Sequence, residues 1–381
     1  MSQFASLDTE GQPTRAVQQL LTRLLTSSVV KAVLAPATQR HKRVVMQTLI
    51  SDRARMVELD PFAPAVFTNA GPLAAALTFK AQGLPVAALL RSCEVRALVE
   101  LSKLNQADAS GLLLIGVDCF GRFENQDYLG LAARHPDLSL TFLTRAASGQ
   151  GSALETGIEL ATACQACEYP VAPLADIRLC LVGTDPRQAL WWEGVSDKGC
   201  AALEAAGLTL TATEPAGRAE AVKRLETERR SFRDELFASF QAKTSSMDAL
   251  LEATASCVSC FNCRVACPVC YCRQCVFCTD LFRQEGEKYL QRSRKSGSLK
   301  MPTDTLFYHL TRMAHMSAMC VGCGQCSSAC PNGVAVMELF RTTAKATQER
   351  FEYLPGRSLE EKQPLATFHD DELEDTTGQR K

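Results

Sequence analysis

The 381-residue chain lacks a surplus of charge of either sign: 41 Lys and Arg stand against 42 Asp and Glu, a net charge of -1. That balance leaves no strongly basic domain or stripe of the kind that grips nucleic acid. No uninterrupted apolar stretch approaches the roughly 20 residues that span a bilayer, so any membrane association has to come through a partner. Met1 to Arg23 carry no apolar h-region and no twin arginine, which argues against an export signal. Histidine is sparse and scattered, at five residues, and no HExxH, Ser-His-Asp or paired-carboxylate arrangement offers a hydrolytic site. A G-x-G-x-x-G after a strand is also missing, so a Rossmann dinucleotide site is not supported. What remains is a globular chain, 46% hydrophobic, long enough for two or three domains of about 100 to 200 residues each.

Cysteine, by contrast, is abundant, at 18 residues. With no sign of secretion the thiols are expected to be reduced and the protein cytoplasmic. Eight of them form two copies of one spacing, C-x2-C-x2-C-x3-C-P: Cys257, Cys260, Cys263 and Cys267 before Pro268, then Cys320, Cys323, Cys326 and Cys330 before Pro331. This is the ferredoxin run, in which three thiolates hold one 4Fe-4S cluster and the fourth reaches the other. Cys257, Cys260, Cys263 and Cys330 are therefore expected on one cluster, and Cys320, Cys323, Cys326 and Cys267 on the second. Each proline fixes φ and turns the chain away from the cluster. The competing metal is zinc, but zinc sites usually pair two C-x2-C knuckles and do not use a run of three with a fourth before proline.

From about Leu20 to Leu210 short β-branched apolar runs alternate with helical stretches, which predicts an α/β domain with a largely parallel sheet. Strands are expected at Val29–Ala35, Val44–Ile50, Leu84–Leu90, Leu112–Val117, Leu138–Leu143 and Ile177–Val182, and helices at Gln18–Leu25, Pro72–Gln82, Glu94–Lys103 and Tyr128–Arg134. The expected divisions are an α/β domain over residues 1–210, a charged helical connector over 211–252 with a long helix at Glu220–Gln241, a mainly α-helical dicluster ferredoxin-type domain over 253–350, and an acidic, disordered tail over 351–381. Between the cysteine runs, Leu306, Leu310 and Met313 give Thr303–Met316 helical periodicity. The basic stretch Lys288–Lys300 reads as an exposed loop or a docking patch for an acidic partner.

Four further cysteines occupy suggestive places in the α/β part. Cys93 opens a helix after a strand, Cys119 follows the strand ending at Val117, and Cys164 and Cys167 form a C-x2-C turn. They can meet at the carboxyl edge of a parallel sheet, where such domains place ligands, and hold a third cluster; Cys93 and Cys119 can equally be small buried hydrophobes. Asn69, Gly71, Gly116 and Arg122 are candidate cofactor contacts, because glycine admits close backbone approach and arginine pairs with phosphates. A turn or surface role competes at each. Cys270, Cys272, Cys275 and Cys278 suit another cluster, a zinc ion or a supporting place beside Cys267. Cys180 and Cys200 read as structural. His309 and His315 lie on the inter-run helix, either near cluster sulfurs or simply on its face.

The stretch RSCEVRALVEL followed by IGVDCFG, within Gly71 to Cys119, resembles the coenzyme F420-reducing hydrogenase and formate dehydrogenase beta-subunit family, which reads CEI-x-AL and then a strand ending in GLFC. Cys164-Gln165-Ala166-Cys167 with Ala175-Asp176-Ile177 is similar to that family's C-x2-C…ADIS element, and CVSCFNCRVACPVCYCRQCVF to the ferredoxin-type segment of its formate dehydrogenase-like members. The resemblance covers most of residues 30 to 345. It departs at Arg178, where the family has Ser, at Gly183-Thr184-Asp185, and at Ala70 to Leu77, where a Gly-Gly-x-x-Thr-Ala-Leu element is expected. The resemblance implies a flavin-binding α/β domain holding FAD and a 4Fe-4S cluster on Cys93, Cys119, Cys164 and Cys167, and two further clusters leading to a catalytic formate dehydrogenase or hydrogenase subunit. It implies electron transfer from a diffusible hydride carrier, F420 or NAD(P)H, with no metal-pterin or nickel centre in this chain. Two other readings stand beside it: a flavin-free iron-sulfur adaptor for heterodisulfide reductase-like subunits, and a structural zinc protein.

Overall fold

A computed structural model describes residues 3–39, 44–78, 85–272 and 274–364. Seven strands form one sheet: β1 (Gln3–Asp8), β2 (Ala32–Thr38), β3 (Val45–Ile50), β4 (Val86–Arg91), β5 (Leu112–Val117), β6 (Ile177–Cys180) and β7 (Ala189–Gly194), in the order β1-β7-β6-β5-β4-β2-β3. The central pairs β2·β4, β4·β5 and β5·β6 are parallel, whereas β3, β7 and β1 add antiparallel to the flanks. The expected parallel sheet is thus parallel at its centre only. β5 is buried along its whole length, the continuous apolar run that a central parallel strand requires when helices cover both faces.

Leu113, Ile115 and Val117 of β5 point into one core with α1 (Pro13–Thr26), α4 (Asn125–Arg134), α5 (Leu138–Ala147) and α7 (Asp197–Ala205). Leu112 and Leu114 point into the other, with α2 (Gly71–Thr78) and α3 (Ser92–Lys103). The alternation is that of a strand with period two. α1 begins on Pro13, whose fixed φ suits a first helical turn, and buries Val17, Leu20, Leu21 and Leu24 on one stripe. A four-residue turn of helix, α6 (Thr162–Gln165), carries Cys164.

Beyond the sheet run α8 (Arg218–Lys243), α9 (Met247–Ala253), α10 (Asn262–Val265), α11 (Gly286–Ser296), α12 (Thr305–Met316), α13 (Gln325–Ser328) and α14 (Val336–Arg350). A third core forms here from Tyr308, Met316, Val321, Leu339 and Phe340, and Ala97 of α3 belongs to it. α3 therefore serves two cores, with Val95, Leu98 and Val99 toward the sheet and Ala97 toward the cysteine runs.

Three expectations need correction. Leu138–Leu143 is helix α5, not a strand: Leu138, Leu140 and Phe142 mimic alternation, but the buried set is Leu138, Phe142 and Leu143, a helical spacing. Lys288–Lys300 is mostly the exposed helix α11, closed by Gly297 in the left-handed region. Residues 353–363 do not trail away. Tyr353 and Gln363 donate to the buried Glu100 carboxylate of α3, as does the Gly356 backbone; residues 365–381 of the expected tail lie outside the described residues. Strands β1 and β7, at one flank of the sheet, had no counterpart in the sequence reading.

Candidate iron-sulfur and cofactor site

Cys93, Cys119, Cys164 and Cys167 come together at the carboxyl edge of the parallel strands, lining one narrow cavity of about 30 Å³. Buried hydrogen bonds fix the segments that carry them. Glu94, 2% exposed, accepts from the Arg91 backbone at 2.8 Å and from Ala70 at 3.1 Å, which sets the start of α3 beneath Cys93. Asp118 accepts from the amides of Leu181 and Val182 and pairs with Arg218, joining the ends of β5 and β6 to α8. The Cys119 amide donates to Pro170 at 2.8 Å. Gly121, at φ +115°, lets the loop pass Cys164, since a Cβ there would lie 2.8 Å from Leu160 and 3.1 Å from the Cys164 Cβ.

Burial raises the thiol pKa of Cys93 and Cys119 and pushes Cys164 up to about 11. Neighbouring thiols add to the rise at Cys93, and the Arg91 and Arg229 guanidiniums oppose it at Cys119. Such thiols stay protonated until a metal displaces the proton, so ligation would be coupled to proton release.

The two ferredoxin-type runs have the same backbone. Ser259 and Phe261 in the first, at φ 49° and 60°, occupy the positions of Gly322 and Gly324 in the second, both at φ 72°. In each copy the second left-handed residue caps a short helix, α10 or α13, that carries the third cysteine. Glycine adopts this shape without strain, whereas Ser259 and Phe261 do so at a cost. Cys257 lies within electrostatic reach of Cys263 and Cys330, and Cys267 within reach of Cys320. Cys326 likewise feels Cys323, Cys267 and Cys320. Cys330 thus lies near Cys257 of the first run, and Cys267 near Cys320, Cys323 and Cys326 of the second. The Arg312 Nε, on a guanidinium that donates to Cys263, lacks a hydrogen-bond partner among the described residues, which fits a group bearing acceptors beside these thiols. Among those residues, no three His, Cys, Asp or Glu side chains close tightly enough around a single ion.

The cavity of four cysteines and the second run share a wall. Cys323 lines that cavity and influences Cys93. Arg122, 2% exposed, bridges the two by donating to Phe123 O, Glu124 and Ser328 Oγ. Gly324 sits against Ala163, where a Cβ would come within 2.3 Å of the alanine's own. Glu168, next after Cys167, pairs with Arg233 of α8 at 2.8 Å and Arg341 of α14 at 2.7 Å. Burial raises its pKa, but the Arg341 and Arg233 charges outweigh this and hold it at about 2.

The other expected site residues are placed as follows. Asn69 lines the four-cysteine cavity, and its Oδ1 accepts from the Gly71 amide. Gly71 packs on α3, where a Cβ would be 2.8 Å from that of Ala97, and Gly116 faces Ala172 at 2.7 Å; close packing accounts for both glycines. A larger cleft, of about 500 Å³, escaped the sequence reading. It lies beyond β5 and β6, lined by Phe120, Ser148, Gly149, Gly151 and Ser152 of one loop, Gly183, Arg224 and Arg229. The Gly-x-Gly loop was its one visible signal. Arg229 also donates to Cys119 O at 3.1 Å and Cys167 O at 3.4 Å, so it reaches from this cleft to the cysteine cavity. Cys270 lies near Cys272, and Cys275 near Cys278. Cys180 is buried in β6, and His315 stacks loosely on Tyr271, 6.1 Å between centroids.

Residues 315–335, which hold the second run, match the 4Fe-4S binding domain family. A mixed α/β sheet joined to such a segment is the build of an iron-sulfur electron-transfer protein. Along 90% of its length the chain is 25% identical, over 368 residues, to an F420-dependent formate dehydrogenase subunit beta from Methanocaldococcus jannaschii, of which it covers 91%. A second relative, F420-dependent formate dehydrogenase 1 subunit beta from Methanococcus maripaludis, is 24% identical over 72% of this chain and 74% of its own length. The chain is similar over most of its length to the beta subunits of F420-dependent formate dehydrogenases, the family its motifs resemble. Among solved structures, a chain of the F420-reducing [NiFe] hydrogenase complex from Methanosarcina barkeri overlaps 65% of it and 94% of that chain, at 13% identity and a TM-score of 0.44. Among the described residues no helix is long and apolar enough to cross a membrane.

Proposed function

We propose that this chain is the electron-transfer subunit of a formate dehydrogenase or hydrogenase-type complex, moving electrons between a hydride carrier such as F420 and a catalytic partner subunit. The observation that carries the reading is the convergence of Cys93, Cys119, Cys164 and Cys167 in one cavity that Cys323 of the second run also lines. On this reading the four hold a 4Fe-4S cluster. Cys320, Cys323, Cys326 and Cys267 hold the next, and Cys257, Cys260, Cys263 and Cys330 the last.

The cleft at Gly149, Gly151 and Gly183 is of a size that admits FAD, and Arg224 offers a charge to its phosphates. FAD, when bound, accepts an electron pair as hydride and releases electrons singly, which F420 or nicotinamide chemistry requires before a cluster can accept them. This chain's own residues position the two sites. Arg229 ties the cleft to the backbone of Cys119 and Cys167, and Gly324 lets the second cysteine run approach α6.

Anaerobically purified chain is expected to contain FAD, with iron and acid-labile sulfide for three clusters, and its visible spectrum should bleach with reduced F420 or NADH. Cys119→Ser should lose the iron of one cluster and keep the other two. Clusters without flavin, inert to both donors, would mean the adaptor for heterodisulfide reductase-like subunits; zinc without sulfide would defeat both readings.

A further inference from the structure

Helix α12 buries three polar side chains: Tyr308, His309 and Arg312 are 1%, 1% and 5% exposed. Arg312 is the unusual one. Its Nη1 donates to Cys263 Sγ at 3.1 Å and its Nη2 to Cys263 O at 3.2 Å. The guanidinium lies 4.6 Å from the Phe340 ring centroid and 5.6 Å from that of Tyr308. No carboxylate pairs with it among the described residues, whereas the buried Arg122, Arg218, Arg233 and Arg341 each have one; Arg96 and Arg229, buried and likewise without a carboxylate, donate to backbone carbonyls, and Arg312 differs from both in donating to a thiol. A buried cation without a counter-ion is strongly unfavourable. The anionic neighbours available to it are sulfur ligands. It lies within electrostatic reach of Cys263 from one cluster set and of Cys267 and Cys326 from the other.

Resting on the cluster assignment above, we propose that Arg312 is a positioning residue that sets the reduction potentials of both ferredoxin-type clusters from a point between them. A cluster that accepts one electron becomes one charge more negative, with no bond made or broken. A fixed positive charge nearby favours that reduced form and raises the midpoint potential, one of the levers through which proteins tune clusters. Tyr308, whose hydroxyl lies 3.4 Å from Cys263 Sγ, supplies a neutral hydrogen bond to the first set alone. The two sites are thereby biased by one shared charge, and the site at Cys93, Cys119, Cys164 and Cys167 is left to other neighbours, Arg91, Arg122 and Arg229.

The test is an anaerobic redox titration of the full chain, followed by electron paramagnetic resonance, with iron and sulfide measured on each sample. Arg312→Gln should shift the midpoints of both ferredoxin-type clusters to lower potential and leave that of the third in place. Arg312→Lys, which keeps the charge, should restore them toward wild type. Tyr308→Phe should lower one midpoint only. Unchanged midpoints in Arg312→Gln at full iron content would overturn the proposal, as would a Lys variant as low as the Gln variant. Should Arg312→Gln lose iron, retention by Arg312→Lys supports the role of charge, and loss by both overturns it in favour of shape. Wild-type protein without sulfide would instead remove the cluster assignment itself, so the two failures are distinct.

Discussion

At the scale of single residues, the equivalent left-handed positions of the two runs make opposite demands. Ser259→Gly should relieve backbone strain and raise stability by roughly 1 kcal/mol, read as a higher denaturation midpoint under anaerobic conditions. Gly324→Ala should do the reverse. Its Cβ would meet that of Ala163 at 2.3 Å, so the variant should lose about 1 to 3 kcal/mol and widen the gap between the cysteine cavity and the second run. Weaker magnetic interaction between the two reduced clusters would be the spectroscopic sign of that gap. A Gly324→Ala protein with unchanged stability and spectra would mean that the two regions have room to spare.

Among the structural elements, α8 and α14 converge on Glu168, and the carboxylate is their common fastening to the loop after Cys167. Glu168→Gln leaves Arg233 and Arg341 without a buried counter-charge and should cost about 3 kcal/mol near neutral pH. The sign of its pH dependence follows from the depressed pKa. The carboxylate's stabilisation is present above its ordinary 4.5 and is lost as pH falls toward about 2. Denaturation curves of wild type and variant should therefore draw together across that interval, and a gap that stays constant would show that charge is not the cause.

Much of this level could be read in the sequence. The cysteine spacings gave the two runs directly, because ligand geometry constrains local sequence. β4, β5, α3 and α12 were visible in their hydrophobic periods. α5 was not, because Leu138, Leu140 and Phe142 satisfy a period of two while the helix buries Leu138, Phe142 and Leu143. Strands β1 and β7 pair at a flank of the sheet through contacts distant in sequence, Gln3 with Gly194 to Asp8 with Ala189, which no local pattern reveals. The Arg229 bridge and the cleft beyond β6 were hidden for the same reason, since they are assembled from segments that meet only in the fold. Gly71 and Gly116, expected as candidate cofactor contacts, sit in close packing against Ala97 and Ala172, a use of glycine that local sequence does not distinguish from backbone approach to a ligand.

Across the whole molecule, the regions are joined by buried polar contacts more than by a broad apolar seam. Arg96 of α3 donates to Val321 O at 3.1 Å and to Pro355 O at 2.8 Å, and Gln325 donates to Val66 O at 2.9 Å. Such directional contacts hold one relative placement, as a fixed path for electrons demands. Removing residues 353–381 should leave Glu100, fully buried on α3, without Tyr353, Gly356 and Gln363. The truncated chain should retain less iron and be digested faster by protease, and wild-type iron content in it would show that Glu100 finds other partners. That contact also sets an order of events during synthesis. The helix bearing Cys93 is finished by a segment some 250 positions downstream, Tyr353 being 253 residues from Glu100, so a ribosome must deliver almost the entire chain before that helix is closed. Iron delivered earlier would meet an open, unfinished cradle. On the proposed assignment, a cluster at Cys93 would assemble only after residues 353–363 are in place, and a product cut short of them would lack it.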